Sequence, residues 1–516
     1  MNKMKTTLAI KGIFAGSVNR AISLLLPFVG RTVLIYTIGA QYLGLNSVFT
    51  SILSILSFAE LGFGNVMVYS MYKPIAEHNE EKVKALLNLY RQLYRFIGLI
   101  VMVIGLAIMP FIRYLIKGDY PADVNLYLLY IIYLFNSVVS YWLFTYKSSL
   151  LEAHQMYYAG HNISTIITLL TYTCQILALL FFKNYYVYII FVPMATIATN
   201  IGVAITTRRY YPNIKAEGTV DQETKRSIRR NVLAGIGHKL GPSATTSVDN
   251  LVVSSLSGLT LAAVYSNYNF ILTTVTGFVS LVFSSFIAGI GNSLIVESKE
   301  KNYEDFKFFT FINNILTGWS AICILCLSQP FMYLWIGKSK GAEYMYSSVT
   351  LIILVFMYYA QQIRTIVQSY KTAAGMWYID RYKPYVAAIL NAILDIVLFK
   401  AIGINGVLLS TIFARVVVGL PWETHAMFKE YFKQPKWPYY KSLLKYLLIS
   451  VIIGTICYFV CNLIPYANIW WLILRTVVCV LLVSAFYIVA YWKNAYVKRS
   501  IEKISMLLKN KRKMTS

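Results

Sequence analysis

Charge is what this sequence is short of, and acid most of all. Only 13% of its 516 residues are charged, and 21 Asp and Glu stand against 47 Lys and Arg, for a net charge of +26. A soluble protein carries about a quarter charged residues, so a large soluble domain is excluded. The same scarcity leaves no basic domain on which a duplex would lie, and no nucleic-acid partner is expected. The five histidines are scattered, and no Walker A, DxD, HExxH or GxSxG pattern occurs. A catalytic role, a cofactor and an ATP-driven step are therefore not expected of this chain. Cysteine is also scarce: Cys174, Cys323, Cys326, Cys457, Cys461 and Cys479 all fall in apolar runs. Cys323 and Cys326 form a CxxC, and Cys457 and Cys461 lie one turn apart. Without further ligands or an aqueous setting they read as small packing residues, and no metal site is expected.

What is abundant is apolar. Hydrophobic residues make up 58% of the chain, and the mean hydropathy is +0.58. They come in runs of about 20 to 25 residues, the length needed to cross hydrocarbon. Uninterrupted runs are not the alternating signal of a barrel, so the fold class is an all-α polytopic membrane protein. About 14 transmembrane helices are predicted, near 10–38, 43–70, 88–116, 123–146, 157–182, 185–206, 230–256, 260–295, 305–334, 344–370, 382–400, 403–428, 440–464 and 468–492. The basic residues gather in alternate connections, and only Lys117, Lys183, Lys338, Lys340 and Lys400 fall on the other side. This asymmetry places both termini in the cytoplasm. The opening "MNKMKTTLAIKG" resembles a signal n-region but lacks an A-x-A site, and reads as the start of an uncleaved first span.

The two halves repeat. "LNSVFTSIL" (45–53) matches "VYSNYNFIL" (264–272), "GFGN" (62–65) matches "GIGN" (289–292), and "YK" recurs at 146–147 and 370–371. Lys183 and Lys400 occupy matching outer turns. The predicted organisation is an N-lobe of spans 1–6 (1–206), a basic cytoplasmic loop (207–229), a C-lobe of spans 7–12 (230–430), spans 13 and 14 (431–492) and a basic cytoplasmic tail (493–516). Such parallel repeats are common among transporters.

Charges inside the spans are the candidate functional residues, because each costs about 2.5–3.5 kcal/mol at a bilayer centre. On the repeat, Arg20 aligns with Lys239 and Arg31 with Asp249. Arg20 and Arg31 are 11 residues apart, close to three turns, so they share a face of span 1. Glu60 lies at a depth that suits pairing with Arg20, and for Arg20 both that structural pairing and a cavity role stand. Lys239, beside His238 and near Pro242, has no matching acid and is the leading cavity cation. Arg31 and Asp249 share a depth near the outer edge, which predicts an ion pair that forms when the outer mouth closes. Arg364, among glutamines, is placed at the inner opening. Asp395 and Arg415 lie on adjacent spans at different depths, and Arg475 is shallow and expected to snorkel. The bias toward cations suits an anionic substrate, with Arg offering bidentate contacts to phosphate.

The segments "YTIGAQYLGLNSVFTSILSILSFAELGFGNVMVYSMYKPIAEHNEEKVKALLNLYRQLYRFIG", "YKTAAGMWYIDRYKPYVAAILNAI" and "GINGVLLSTIFAR" resemble the Wzx-type polysaccharide flippases of the multidrug/oligosaccharidyl-lipid/polysaccharide (MOP) superfamily, over about residues 10–430. The resemblance implies a MATE-like fold of two pseudo-symmetric six-helix lobes around a cavity, plus helices 13 and 14. It implies a bacterial cytoplasmic-membrane protein that moves an undecaprenyl-pyrophosphate-linked oligosaccharide outward, for O-antigen, capsule or exopolysaccharide synthesis. Arg20, Arg31 and Lys239, with Arg364 and Arg415, are then the residues expected to meet the pyrophosphate, and Glu60, Asp249 and Asp395 the gate or ion-pair candidates. H+ or Na+ is the coupling ion to consider, a polymerase the partner, and a monomer the default state. The rival readings are a cation-coupled drug exporter or lipid II flippase of the same superfamily and, from another class, a membrane-embedded polysaccharide polymerase or ligase.

Overall fold

A computed structural model describes residues 22, 24–60, 63–376 and 379–497, apart from the side chains of 58, 59, 65, 157, 230, 231, 233–244 and 281–289. The described residues are helical throughout, with no strand. In chain order the helices are α1 (Leu24–Thr37), α2 (Ala40–Leu56), α3 (Phe63–Ala76), α4 (Glu80–Ile108), α5 (Leu126–Trp142), α6 (Ser148–Ala153), α7 (Tyr157–Phe182), α8 (Tyr185–Tyr210) and α9 (Gln222–Ser257). They continue with α10 (Leu259–Val296), α11 (Lys299–Met332), α12 (Ser348–Gln362), α13 (Thr365–Ala373), α14 (Lys383–Ile402), α15 (Ile404–Phe432), α16 (Trp437–Asn462) and α17 (Ile469–Tyr491).

Nine helical stretches among the described residues are long and apolar enough to cross a membrane, and α5 with α6, bent by 42°, makes a tenth. The shorter apolar helices α1 and α2 and the long helices α9 and α10 complete the fourteen passes in the predicted order. Side chains fix where the helices begin. Asn125, Asn184 and Asn468 each accept two backbone N–H groups at the starts of α5, α8 and α17. Asn79, Asp221 and Ser298 each accept one backbone N–H at the starts of α4, α9 and α11, with Glu80, Glu81, Glu223 and Glu300 in the first turns, where the helix dipole favours acid. By the predicted topology the first set faces outward and the second inward.

The chain divides into two compact units, residues 1–266 and 267–516, with the boundary inside α10. In the first, the buried core is aromatic: Tyr42, Phe49, Tyr130, Tyr133 and Tyr185 pack together, and the Tyr133 and Tyr185 hydroxyls meet at 3.0 Å. α9 lies against α2 in this unit. Gly258 turns α9 into α10 at φ 87°, and a Cβ there would stand 2.8 Å from the Lys117 carbonyl oxygen. The approach is close because the 115–117 backbone docks on the end of α9. Lys117 N–H donates to Ser254 O (3.0 Å), its ammonium to Leu256 O (2.9 Å), and the Ser254 hydroxyl to Leu115 O (2.9 Å).

The second unit has two packed clusters. Phe306, Tyr370, Phe428, Phe432 and Tyr439 form one. The other joins α11 to α16 and α17 around Phe311, Ile453, Val483, Tyr487 and Tyr491. Lipid is as apolar as these helices, so their association rests on close packing and polar contacts. Gly318 shows it: a Cβ there would overlap the Tyr487 hydroxyl at 1.9 Å.

Candidate functional site

Arg20 lies outside the described residues, and Lys239 is on α9 with its side chain outside them. The remaining candidates fall into separate settings. In the first unit, Arg31 on α1 is half-buried and its Nη1 donates to the Ser266 hydroxyl (3.1 Å) and carbonyl (3.3 Å) on α10. Asp249 on α9 is 2% exposed, and its Oδ2 accepts from the Tyr265 hydroxyl at 2.8 Å. The structure therefore brings the two charges that the sequence set at one depth onto consecutive residues of α10. Glu60 sits at the break between α2 and α3, where its Oε1 accepts from Tyr94 (2.5 Å), which in turn accepts from Tyr90 (2.8 Å).

The second unit holds a connected lattice of buried charge. Glu423 on α15, fully buried, receives Arg364 in a two-pronged contact, Nε to Oε2 at 3.0 Å and Nη2 to Oε1 at 2.7 Å. Gln368 Nε2 (2.9 Å) and Lys383 Nζ (2.5 Å) donate to the same Oε1. Lys383 also reaches the buried Asp380 at 3.0 Å, and Lys371 pairs with Asp380. Gly419 makes room for the guanidinium, since a Cβ there would stand 2.7 Å from it. Arg364 thus sits inside this lattice at 8% exposure. Arg415, in a wide, underwound π-turn of α15, donates Nη1 to Met357 O at 3.0 Å. Asp395 is fully buried on α14, with Oδ1 accepting from Asn391 Nδ2 (2.8 Å) and from the Ser410 hydroxyl of α15.

Arg475 departs from its expected role. It is 2% exposed and does not snorkel: it donates to Cys326 O (3.1 Å), Ile464 O (3.2 Å) and Asn462 Oδ1 (2.6 Å). The physical reason is that acceptors from α11 and from the end of α16 with its connection surround the guanidinium and satisfy it inside the protein. Sequence reasoning also missed Lys371, Asp380, Lys383 and Glu423. The acid in "PWETH", inside the predicted span 12, was a signal for Glu423, and Asp380 with Lys383 has helical i,i+3 spacing. The nine-residue reach from Lys371 to Asp380 across a turn had no such signal.

With this geometry in view, the sequence compares as follows. The profile of the family described as polysaccharide biosynthesis protein matches residues 9–288, more than half of the chain. The chain belongs to that family. No curated protein matches it by sequence. Among solved structures, the lipid II flippase MurJ in an inward closed conformation superposes with a TM-score of 0.61 at 17% identity, covering 93% of this chain and 99% of that one. An inward-facing multidrug resistance MATE transporter of the MOP superfamily gives 0.58 at 13% identity, covering 81% and 98%. The eukaryotic MATE transporter AtDTX14 gives 0.57 at 12% identity, covering 83% and 97%. At these identities the likeness is one of fold. This family member is a multi-pass membrane protein with the MOP-superfamily fold.

Proposed function

We propose that this protein moves undecaprenyl-pyrophosphate-linked oligosaccharide repeat units from the inner to the outer leaflet of a bacterial cytoplasmic membrane, by alternating access of lobes 1–206 and 230–430. Family membership supports a role in polysaccharide export. The observation that carries the finer reading is Arg31: a guanidinium held on a membrane-spanning helix by the Ser266 hydroxyl and carbonyl is costly to place there unless it serves, and its planar fork suits an anionic head group. Arg20 and Lys239 complete the cationic path in this reading, and Arg415 extends it. Both termini are assigned to the cytoplasm from the distribution of Lys and Arg, and the working unit is a monomer.

A coupling ion, H+ or Na+, belongs to the same reading. Asp395, buried with Asn391 and Ser410, offers the hard oxygen atoms that such an ion needs.

The test is reconstitution in liposomes with a fluorescent undecaprenyl-pyrophosphate oligosaccharide, following its protection from an external reductant. Wild type is expected to move it, and Arg31→Gln and Lys239→Ala to slow it at least tenfold with expression intact. Movement of lipid II alone would assign the activity that MurJ's name carries. Export of a cationic dye without lipid movement would assign drug export, and movement of neither would overturn the reading.

A further inference from the structure

In the sequence Cys323 and Cys326 form a CxxC, and Cys457 and Cys461 lie one turn apart. The fold brings a different set together. Cys326 of α11, Cys461 of α16 and Cys479 of α17 converge so that their three Sγ atoms all lie within 4.8 Å of one another, and each residue is fully buried. We propose that these three cysteines form a binding site for one soft, thiophilic metal ion, of the class represented by monovalent copper.

Ligand number and geometry decide the class. An ion bonded to three sulfurs at about 2.3 Å holds them about 4 Å apart in a trigonal plane. The observed triangle reaches that geometry by contracting less than about an ångström per edge. Among the described residues no fourth ligand atom lies within 4.8 Å of all three sulfurs; Cys457, one turn before Cys461, is buried in the same core cluster but stands outside that triangle. Zinc and iron–sulfur clusters call for four ligands, whereas soft thiolates alone suit monovalent copper.

Electrostatics and access agree. Binding requires the thiols to release protons, which leaves negative charge among Ile453, Val483 and Tyr487. Arg475 lies one helical turn from Cys479 and donates to the carbonyl of Cys326, so its guanidinium offsets that charge from the outer shell. Its other donors hold Ile464 O and Asn462 Oδ1 in the α16–α17 connection. Cys461 is one residue from the end of α16, next to that connection, which gives the ion a short route in. The site would fasten α16 and α17 to α11, and it is independent of what the protein transports.

The experiment uses the full-length protein, reduced, in detergent, with monovalent copper buffered by bathocuproine disulfonate. One copper per chain is expected after desalting, with X-ray absorption showing three sulfurs at about 2.3 Å. Cys461→Ser and Cys479→Ser are each expected to weaken retention at least tenfold, and Cys174→Ser to leave it unchanged. The absorption measurement needs only wild type, so a variant that fails to fold does not shield the proposal. No retained copper, a shell without three sulfurs, or equal retention in both serine variants would reduce the three cysteines to packing and overturn the site.

Discussion

The two units hold buried charge in opposite ways. In the first, Arg31 and Asp249 reach neighbouring hydroxyls of α10, Ser266 and Tyr265. In the second, Arg364, Lys383 and Lys371 are locked to Glu423 and Asp380 through shared carboxylate oxygens. A hydrogen bond between a charged group and a hydroxyl contributes about 1.5–3 kcal/mol. A buried charge pair stripped of one partner costs about 3–5 kcal/mol. The difference separates charges held by hydroxyls from charges held by opposite charges.

The largest expected effect comes from breaking the committed side. Glu423→Gln leaves Arg364 and Lys383 buried without their shared anion, and thermal unfolding in detergent should show a loss of about 3–5 kcal/mol. Gly419→Ala pushes a Cβ into the Arg364 guanidinium and should cost about 1–3 kcal/mol in the same assay. Gly44→Ala tests the first unit by the same logic: its Cβ would stand 2.3 Å from the Leu259 carbonyl oxygen, and separating α2 from α10 should lower stability by a similar or smaller amount. Arg31→Gln sharpens the contrast, since stability should fall by about 1.5–3 kcal/mol while lipid transfer drops at least tenfold. Tyr265→Phe is the mildest change. It removes one hydroxyl from Asp249 and should cost about 1.5 kcal/mol. A loss as large as that of Glu423→Gln would erase the distinction between the units.

Much of the fold was legible because the membrane imposes it. Runs such as 185–206 and 468–492 are too long and apolar to be anything but spans, and Asn184 and Asn468 mark their starts by the hydrogen bonds a helix end requires. Depth was legible too: counting residues from the outer turns set Arg31 level with Asp249, and both reach the Tyr265–Ser266 step. Lateral neighbours were not. Which helix faces which depends on close approaches such as Gly318 against Tyr487, and no linear spacing encodes them. For that reason Arg364 looked available until Glu423 appeared beside it, and cysteines read from spacing as packing residues are grouped by the fold across three helices.

The tightness of two turns bears on biogenesis. α7 and α8 are joined by Lys183 and Asn184 alone, and α14 and α15 by Gly403. Linkers this short give each helix a partner adjacent in sequence, so its contacts form with little loop-closure entropy. Each pair is thus suited to leave the ribosome and enter the bilayer as a preformed hairpin, with a lysine at its leading edge: Lys183 in the first, Lys400 in the second. Lengthening either turn should slow productive insertion while leaving the finished protein nearly unchanged.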